Sequence, residues 1–299
     1  MKILLLGSNG QLGKELVRQL PAVGDVVAFP RVSLDITDYT AIKDSICSIQ
    51  PDIIVNAAAY TAVDQAEKDY DAAFAINAEA VDNLAQMAKK IGALLIHYST
   101  DYVFDGTKPI PYLELDSTNP INVYGASKLA GELAISDVNC QHLIFRTTWV
   151  IGKDGCNFVK TILRLAAEHD EINVVSDQLG VPTSSSLISK VTIDAIQAFK
   201  VHRAWPKGIY HLSPRGKSNW HEVAQTLVGF AERQQMVLNA SVKDIKAIAT
   251  SEYPKAAQRP LNSQLDTQKL HKQLSFTLPY WKDEFLDVVK DIVKELQLA

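Results

Sequence analysis

The chain has 299 residues, of which 47% are hydrophobic, 21% charged and 8% aromatic, a composition that excludes disordered, collagen-like and disulfide-scaffold proteins. Thirty Lys and Arg against 34 Asp and Glu give a net charge of −4, without the basic surface that a general nucleic-acid binder or a polybasic membrane anchor needs. The length suggests two domains, or one large domain with an elaborated half.

Cysteine usage and hydropathy indicate the compartment. Cys47, Cys140 and Cys156 are odd in number and never form a C-x-x-C pair, so neither a disulfide framework nor a zinc site is predicted. The apolar run in the first ten residues is too short for a signal peptide. No run approaches the roughly 18 apolar residues of a membrane span. We expect a cytoplasmic protein with neither a membrane nor a nucleic acid as a partner.

Short apolar runs alternate with segments of helical spacing in the first half of the chain. The apolar runs predict buried strands over 3–6, 25–29, 53–55, 93–98 and 142–146. The intervening segments predict helices over 11–20, 40–49, 69–91 and 123–134. This alternation is typical of a doubly wound α/β fold, in which helices cover both faces of a parallel sheet.

The second half is less regular and richer in Gly, Pro and Ser. Helical spacing returns over 158–169, 187–199, 220–233 and 281–298. We therefore predict a first domain over 1–148 and a smaller domain made of 149–185 and 213–299. The segment 186–212 is expected to fold back onto the first domain as a further helix and strand.

A glycine-rich loop follows the first predicted strand. The sequence G-S-N-G-Q-L-G contains Gly7, Gly10 and Gly13 and leads directly into a predicted helix. The first glycine permits a tight turn, the second lets backbone N–H groups approach a pyrophosphate, and the third allows close packing of helix on strand. Because the motif lies in the first βαβ unit, it predicts a Rossmann-type dinucleotide site.

The end of the second predicted strand bears on the choice of dinucleotide. It reads Phe29-Pro30-Arg31 and lacks the carboxylate that would bind the ribose 2′-hydroxyl of NAD. Arg31 therefore favours NADPH over NADH. Asp35 and Ile36 are placed to contact the adenine.

Tyr124 and Lys128, in Y-G-A-S-K, form a candidate catalytic pair. Their spacing puts both side chains on one face of a helix. A tyrosine could exchange a proton with a carbonyl or alcohol, and a nearby ammonium group would lower its pKa from about 10. Thr100 ends a predicted strand, where open α/β sheets bind their ligands, and could hydrogen-bond the reacting oxygen. The pattern predicts hydride transfer with a nicotinamide cofactor.

The chain resembles the extended short-chain dehydrogenase/reductases, and among them the dTDP-4-dehydrorhamnose reductase family. The resemblance covers essentially the whole chain. Besides the glycine loop it rests on V-N-A-A-A-Y-T-A-V-D-Q-A-E, H-Y-S-T-D-Y-V-F-D-G, N-V-Y-G-A-S-K-L-A-G-E, F-R-T-T-W-V, D-Q-L-G-V-P-T and R-P-L-N-S-Q-L-D. The last three motifs lie outside anything that a cofactor requires and therefore bear on the substrate.

The resemblance implies a role for each matching residue. The cofactor cleft would include Gly10, Gln11, Leu12, Asp35, Ile36, Ala59, Tyr60 and Thr61. Tyr124 would be the proton donor, Lys128 its cofactor-binding partner, and Thr100 would tune the tyrosine. Thr100 and Asp101 would touch the sugar, and Trp149 would cover it. The implied reaction is hydride delivery from NADPH or NADH to C4 of dTDP-4-dehydro-β-L-rhamnose, which gives dTDP-β-L-rhamnose.

Metal binding is where the chain departs from this family. Some members dimerise through Mg²⁺ held by glutamates, and Glu15 matches the first of these, but Ser186 occupies the position of the second. Glu295 remains available near the C-terminus. A metal-bridged dimer is therefore not favoured, and the sequence is compatible with a monomer or a homodimer.

The sequence also suggests roles for three further residues. Arg259 could clamp the substrate diphosphate, or it could be a surface arginine beside a turn. His97, in an apolar strand, is expected to be a core histidine. Asn77, within a helical pattern, is expected to bond nearby backbone rather than substrate.

Other activities remain open. A dehydratase of this superfamily carries an Asp-Glu pair after the threonine, whereas this chain has Asp101-Tyr102, which disfavours elimination of water. An epimerase is less firmly excluded. A non-catalytic NADP-binding regulatory subunit is the alternative from another class, and the intact Thr100, Tyr124 and Lys128 argue against it.

Overall fold

A computed structural model describes residues 1–155, 157–201 and 205–298 of the chain. Cys156 and part of the 186–212 segment lie outside these ranges, while Cys47 and Cys140 are free thiols. Within the described ranges, none of the helices combines the length and apolarity that crossing a bilayer requires.

The structure contains twelve strands and eleven α-helices among the described residues. The strands are β1 (Lys2–Leu6), β2 (Asp25–Phe29), β3 (Ile53–Asn56), β4 (Leu94–Thr100), β5 (His142–Thr147), β6 (Val150–Ile151), β7 (Ile172–Val175), β8 (Leu179–Gly180), β9 (Thr183–Ser184), β10 (Gly208–Leu212), β11 (Ser218–Asn219) and β12 (Ile245–Ile248). The α-helices are α1 (Gln11–Gln19), α2 (Tyr39–Ile49), α3 (Val63–Ala66), α4 (Tyr70–Phe74), α5 (Ala80–Ile91), α6 (Val123–Val138), α7 (Phe158–Glu168), α8 (Ser185–Lys200), α9 (Trp220–Arg233), α10 (Gln268–His271) and α11 (Trp281–Leu298). The predicted helix over 69–91 is α4 and α5 joined by a π-helical turn, Ala75–Glu79.

A six-stranded parallel sheet organises the first half, in the order β10-β5-β4-β3-β1-β2. The predicted doubly wound α/β fold is therefore confirmed. The strand order reverses at β1, which pairs with β2 on one side and with β3 on the other. Ligands of such sheets bind at this reversal, beyond the carboxyl ends of the strands.

Successive side chains of a strand point to opposite faces of the sheet. Because these strands are continuous apolar runs, both faces of the sheet are apolar. Leu5 packs with Leu16 of α1 and Val191 of α8 on one face. Leu4 packs with Ile42 of α2 on the other face, which α5 and α6 also cover. Burial on both faces explains why these strands are continuous apolar runs in the sequence.

The chain leaves this sheet after β5 and returns to it at β10, which pairs with β5 through Tyr210 opposite Phe145. A separate apolar core lies between α7, α9, α11 and the β7–β12 pair, and includes Val174, Leu227 and Val289. Two further short strand pairs, β6–β9 and β8–β11, are separate from the main sheet.

Helix α6 carries the Tyr124–Lys128 pair and is held by local and long-range contacts. Asn122 caps its start, where the side-chain oxygen accepts a hydrogen bond from the Gly125 backbone N–H at 2.7 Å. Two turns after Tyr124, Glu132 forms a buried salt bridge with Arg146 of β5, with an Arg146 Nη2 to Glu132 Oε2 distance of 2.6 Å. Side chains of both partners are at most 3% exposed.

We expect Glu132→Gln to lower the free energy of unfolding by about 3–5 kcal/mol, because it leaves the Arg146 guanidinium buried without its charge partner. Chemical denaturation followed by circular dichroism measures this loss. Glu168→Gln is the matched control, since Glu168 pairs with Arg164 on the exposed surface of α7 and should contribute less than about 0.5 kcal/mol. Equal denaturation midpoints for the two variants would contradict the prediction.

Candidate active site

The glycine loop forms a close backbone turn between β1 and α1. Gly7 has a φ of +79°, and a Cβ atom there would lie 2.6 Å from the backbone nitrogen of Ala58. A Cβ at Gly13 would overlap the carbonyl oxygen of Gly7. Only glycine therefore fits at these two positions. Helix α1 begins directly after Gly10, so its N-terminal N–H groups face the cleft beyond the sheet.

Two adjoining cavities extend along this cleft. The smaller, of about 180 Å³, is bounded by Arg31, Asp35 and Ile36 beside the glycine loop. The larger, of about 500 Å³, contains the predicted catalytic residues. Gly10 and Ala57–Ala59 line both cavities, which makes them one continuous trough. The predicted site residues that line the trough are Gly7, Gly10, Gln11, Leu12, Arg31, Asp35, Ile36, Ala59, Thr61, Thr100, Asp101, Tyr124, Lys128 and Trp149.

Two other predicted cofactor residues have contacts away from the trough. Gly13 is buried beneath the loop, where α1 packs on β1. The Tyr60 hydroxyl donates to Asp69 at 3.0 Å, and its backbone is held by Asn77, whose amide bonds both the N–H and the C=O of Tyr60. Asn77 therefore bonds backbone, as expected, although that backbone is 17 residues away in the sequence.

Arg31 and Asp35 form an ion pair at the rim of the smaller cavity, with an Nε to Oδ2 distance of 3.1 Å. Thr37 donates two further hydrogen bonds to Asp35, and these, with the Arg31 guanidinium, lower the pKa of the Asp35 carboxyl. The Arg31 side chain is 75% exposed, so its guanidinium can reach a second anion at little cost.

Tyr124 lies in the larger cavity beside Thr100 and edge-on to Tyr102, with ring centroids 5.8 Å apart. Burial raises the pKa of Tyr124 to about 12, which the Thr100 hydroxyl opposes and Asp101 increases. The sequence predicts that Lys128 lowers the pKa of Tyr124, whereas the pKa is raised. In the protein without ligand, burial of the phenol has a larger effect on this pKa than any neighbouring group. The phenol therefore keeps its proton at neutral pH, as a proton donor must.

Lys128 is buried, and its ammonium nitrogen contacts His97 of β4, with an Nζ to Nε2 distance of 3.1 Å. The other ring nitrogen of His97 lies 3.2 Å from the Asn56 amide nitrogen. Burial lowers the pKa of Lys128 to about 8, and burial together with the charge of Lys128 holds the pKa of His97 well below its usual value. His97 is thus a buried histidine, as expected, but one in contact with a candidate catalytic residue.

Asp101 is a buried carboxyl group at the floor of the same cavity. It accepts hydrogen bonds from Ser263 and, at 3.2 Å, from Thr100. Burial nevertheless raises the pKa of Asp101 to about 7. Ser263 comes from the R-P-L-N-S-Q-L-D segment, which therefore contributes directly to the site.

Trp149 covers one side of the larger cavity. It adopts a φ of +45°, which is uncommon for a bulky residue, and its ring stacks on Trp220 with centroids 3.7 Å apart. Trp220 also lines a third cavity, of about 590 Å³, which lies against the second core. Tyr102 lines both cavities too, so the third cavity adjoins the trough at these residues.

Arg259 lies at the edge of the third cavity and forms a bidentate ion pair with Asp64, with distances of 2.9 and 2.7 Å. The guanidinium lowers the pKa of Asp64 to about 2. Asp64 follows the trough-lining residues Thr61 and Val63, so this pair lies where the two cavities meet.

Several contributors to the site could not be found from local sequence patterns. Asn56 meets His97 because β3 and β4 are adjacent in the sheet, and His97 in turn contacts Lys128 of α6. Ser263 and Trp220 come from the second half of the chain. The motif H-Y-S-T-D-Y-V-F contained the signal for His97, since a histidine two positions before a cleft-lining serine points to the same face of the sheet.

Unpaired hydroxyl groups at the trough fit a polar ligand. The buried hydroxyls of Ser99 and Thr147 have no protein partner among the described residues and line the larger cavity. Buried polar groups normally have partners, so these two are available to a bound molecule. Together with the glycine loop, they fit a dinucleotide that extends from Arg31 towards Tyr124.

The carboxylate of Glu15 is already engaged by neighbouring side chains. Its carboxylate binds Arg18 at 2.5 Å and the Gln19 amide, while Ser186 and Glu295 are exposed on other helices. The described residues include no group of three or more His, Cys, Asp or Glu side chains that would hold a metal.

Comparison with known proteins gives consistent results. The family described as the RmlD substrate binding domain matches residues 1–294. The dTDP-4-dehydrorhamnose reductase of Burkholderia thailandensis is 43% identical, over 99% of this chain and 100% of its own, and that of Escherichia coli is 43% identical over 94% and 95%. The crystal structure of dTDP-4-dehydrorhamnose reductase from Bacillus anthracis in complex with NADP is 37% identical and has a TM-score of 0.87, covering 97% of this chain and 99% of its own. The chain therefore belongs to the dTDP-4-dehydrorhamnose reductase family.

Proposed function

We propose that the protein reduces the C4 keto group of dTDP-4-dehydro-β-L-rhamnose to give dTDP-β-L-rhamnose, with NADPH or NADH as the reductant. The observation that carries the proposal is the position of Thr100, Tyr124 and Lys128 in one cavity that is continuous with the glycine loop. The relatives compared above are named dTDP-4-dehydrorhamnose reductase, and the crystal structure of the Bacillus anthracis relative is a complex with NADP.

The cofactor would lie along the trough. Gly7, Gly10 and the N-terminus of α1 would hold its pyrophosphate, and Arg31, Asp35 and Ile36 its adenosine end. Lys128 would bind the nicotinamide ribose. The cofactor supplies a hydride when bound, and the protein must supply position and one proton.

The sugar nucleotide would occupy the remaining space. The 590 Å³ cavity is large enough for a nucleoside diphosphate and is lined by aromatic and apolar residues, including Phe158, Trp220 and Tyr253. The hexose would then lie between Trp149 and Asp101, at the junction with the trough. Arg259 stands at this junction, and we propose that it exchanges Asp64 for the substrate diphosphate.

The residues around the C4 oxygen would complete the reaction. Tyr124, protonated because of its raised pKa, would donate its proton to that oxygen as negative charge develops there. The Thr100 hydroxyl would orient the same oxygen. Trp149 and Trp220 would exclude water above the ring, which strengthens these interactions.

We also propose a division of labour between two domains. Residues 1–148 and 186–212 would form the dinucleotide-binding domain, which the pairing of β10 with β5 supports. Residues 149–185 and 213–299 would form the sugar-nucleotide domain around the second core. Because Glu15 is engaged by Arg18, we propose a monomer or homodimer without a bridging Mg²⁺.

The direct test is consumption of NADPH, followed at 340 nm, with enzymatically prepared dTDP-4-dehydrorhamnose. We expect oxidation that depends on the sugar, yields dTDP-rhamnose and is unchanged by a chelator of divalent cations. Reactions without the sugar are the control. Tight binding of NADPH without any oxidation would contradict the reductase and point to a regulatory subunit.

Tyr124→Phe should lower kcat by about 10²–10⁴, the usual contribution of a positioned acid, with nearly unchanged cofactor affinity. Steady-state kinetics and cofactor titration measure the two effects. The control is Tyr210→Phe, which removes a buried hydroxyl that bonds the Pro206 carbonyl, away from the trough. Full turnover by the Tyr124 variant would disprove its role as the proton donor.

Arg31→Ala should raise KM for NADPH about five- to tenfold and leave KM for NADH nearly unchanged, because only the former carries a 2′-phosphate for the guanidinium. Initial rates with each cofactor measure the difference. Arg164→Ala, on the exposed surface of α7, controls for loss of positive charge. An equal change for both cofactors would assign Arg31 a purely structural role.

A further inference from the structure

A chain of hydrogen bonds leads from the backbone after β3 to the amine of Lys128. The backbone N–H of Ala58 donates to the side-chain oxygen of Asn56 at 3.1 Å. The Asn56 amide nitrogen lies 3.2 Å from His97 Nδ1, and His97 Nε2 lies 3.1 Å from Lys128 Nζ. Asn56, His97 and Lys128 are at most 2% exposed, so each of these polar atoms must be satisfied within the protein.

The direction of each hydrogen bond in this chain follows from its first member. The Ala58 N–H can only donate, so it fixes the oxygen of the Asn56 amide, and the Asn56 NH₂ group then faces His97. His97 Nδ1 must accept, which places the single ring proton of a neutral imidazole on Nε2. That N–H group points at Lys128 Nζ, and only an uncharged amine has a lone pair to accept it.

We propose that His97, oriented by Asn56, is a positioning residue that holds Lys128 as a neutral amine in the protein alone. An ammonium group at this position would set two donors against each other across 3.1 Å. Lys128 would then gain its proton only when a ligand draws the amine away from His97 Nε2 and offers it an acceptor, such as a ribose hydroxyl. This inference rests on the proposed function for its consequence, but the protonation state can be measured without any turnover.

The other ionisable groups around Lys128 do not remove this constraint. On its own helix, Tyr124 is protonated and Glu132 is already bound by Arg146 of β5 through two nitrogen atoms. Asp101, in the turn after β4, is bound by Ser263 and has a raised pKa. His97 is the group in direct contact with the amine. Burial lowers the pKa of Lys128, and a His97 N–H donor that faces the amine would lower it further.

Nuclear magnetic resonance of the nucleotide-free protein tests both parts of the proposal. Long-range ¹H–¹⁵N spectra of ¹⁵N-histidine-labelled protein distinguish the two neutral tautomers, and we expect His97 to be protonated on Nε2 at pH 7. The Nζ resonance of Lys128, assigned through Lys128→Met, should titrate below about pH 7, because the His97 N–H that faces the amine lowers its pKa further than burial alone does. The usual lysine value is about 10.4.

Two variants should reverse the direction of the hydrogen bonds between Asn56, His97 and Lys128, each in a different way. His97→Gln replaces Nε2 with an amide that can turn its oxygen towards Lys128, so the Lys128 titration should rise by about one pH unit or more. Asn56→Asp offers a carboxylate to both Ala58 and His97, which should move the His97 proton to Nδ1 and raise the Lys128 titration as well. Ser127→Ala is the control, because Ser127 is the buried neighbour of Lys128 but bonds Asn77 and Tyr124 instead.

Catalysis gives an independent readout. The basic limb of kcat/KM for NADPH reports the cofactor-free enzyme, so in His97→Gln it should move to higher pH by the same interval as the Lys128 titration. A purely structural role for His97 would lower rates without moving that limb. A wild-type Lys128 that titrates above about pH 7, or an Nδ1-protonated His97, would overturn the proposal. Absence of reductase activity would instead count against the proposed function and leave the spectroscopic test intact.

Discussion

Helix α6 carries three ionisable side chains on the side that faces the sheet, and the site depends on how each is satisfied. Tyr124, Lys128 and Glu132 follow one another at intervals of four residues, so they form one stripe along the helix. Burial of a charged group is costly unless a partner compensates it. Glu132 has a full partner in Arg146, whereas the one hydrogen-bond partner of the Lys128 amine among the described residues is the neutral imidazole of His97. Glu132 therefore has a structural role, whereas Lys128 is the residue that we propose changes its charge when a ligand binds.

The sequence allowed the sheet and the cofactor trough to be predicted because both depend on local patterns. Strands buried on both faces read as continuous apolar runs, and a glycine at φ +79° can be inferred from a strand followed by G-x-x-G. The bonds of His97 and Arg259 could not be predicted in this way. His97 meets Lys128 across 31 residues, and Arg259 meets Asp64 across 195, so only the completed fold brings these side chains together.

Polar contacts join the glycine loop and α3 to the second half of the chain. Gln11 donates to the Val150 carbonyl at 3.2 Å and accepts from Asn157 at 3.0 Å. On the other side of the trough, Asp64 holds Arg259. These contacts are polar and only part-buried, so a ligand of similar polarity could replace one partner of each. This is why we propose that the substrate diphosphate recruits Arg259.

The raised pKa of Tyr124 and the lowered pKa of Lys128 have the same cause, since burial disfavours both the phenolate and the ammonium. A buried phenol with a pKa of about 12 holds its proton firmly and releases it only if the phenolate is stabilised as it forms. An ammonium group on Lys128 would provide that stabilisation, but a neutral amine would not. If His97 keeps the amine neutral until a ribose hydroxyl arrives, then Tyr124 becomes an effective acid only in the loaded trough, where a substrate can accept its proton.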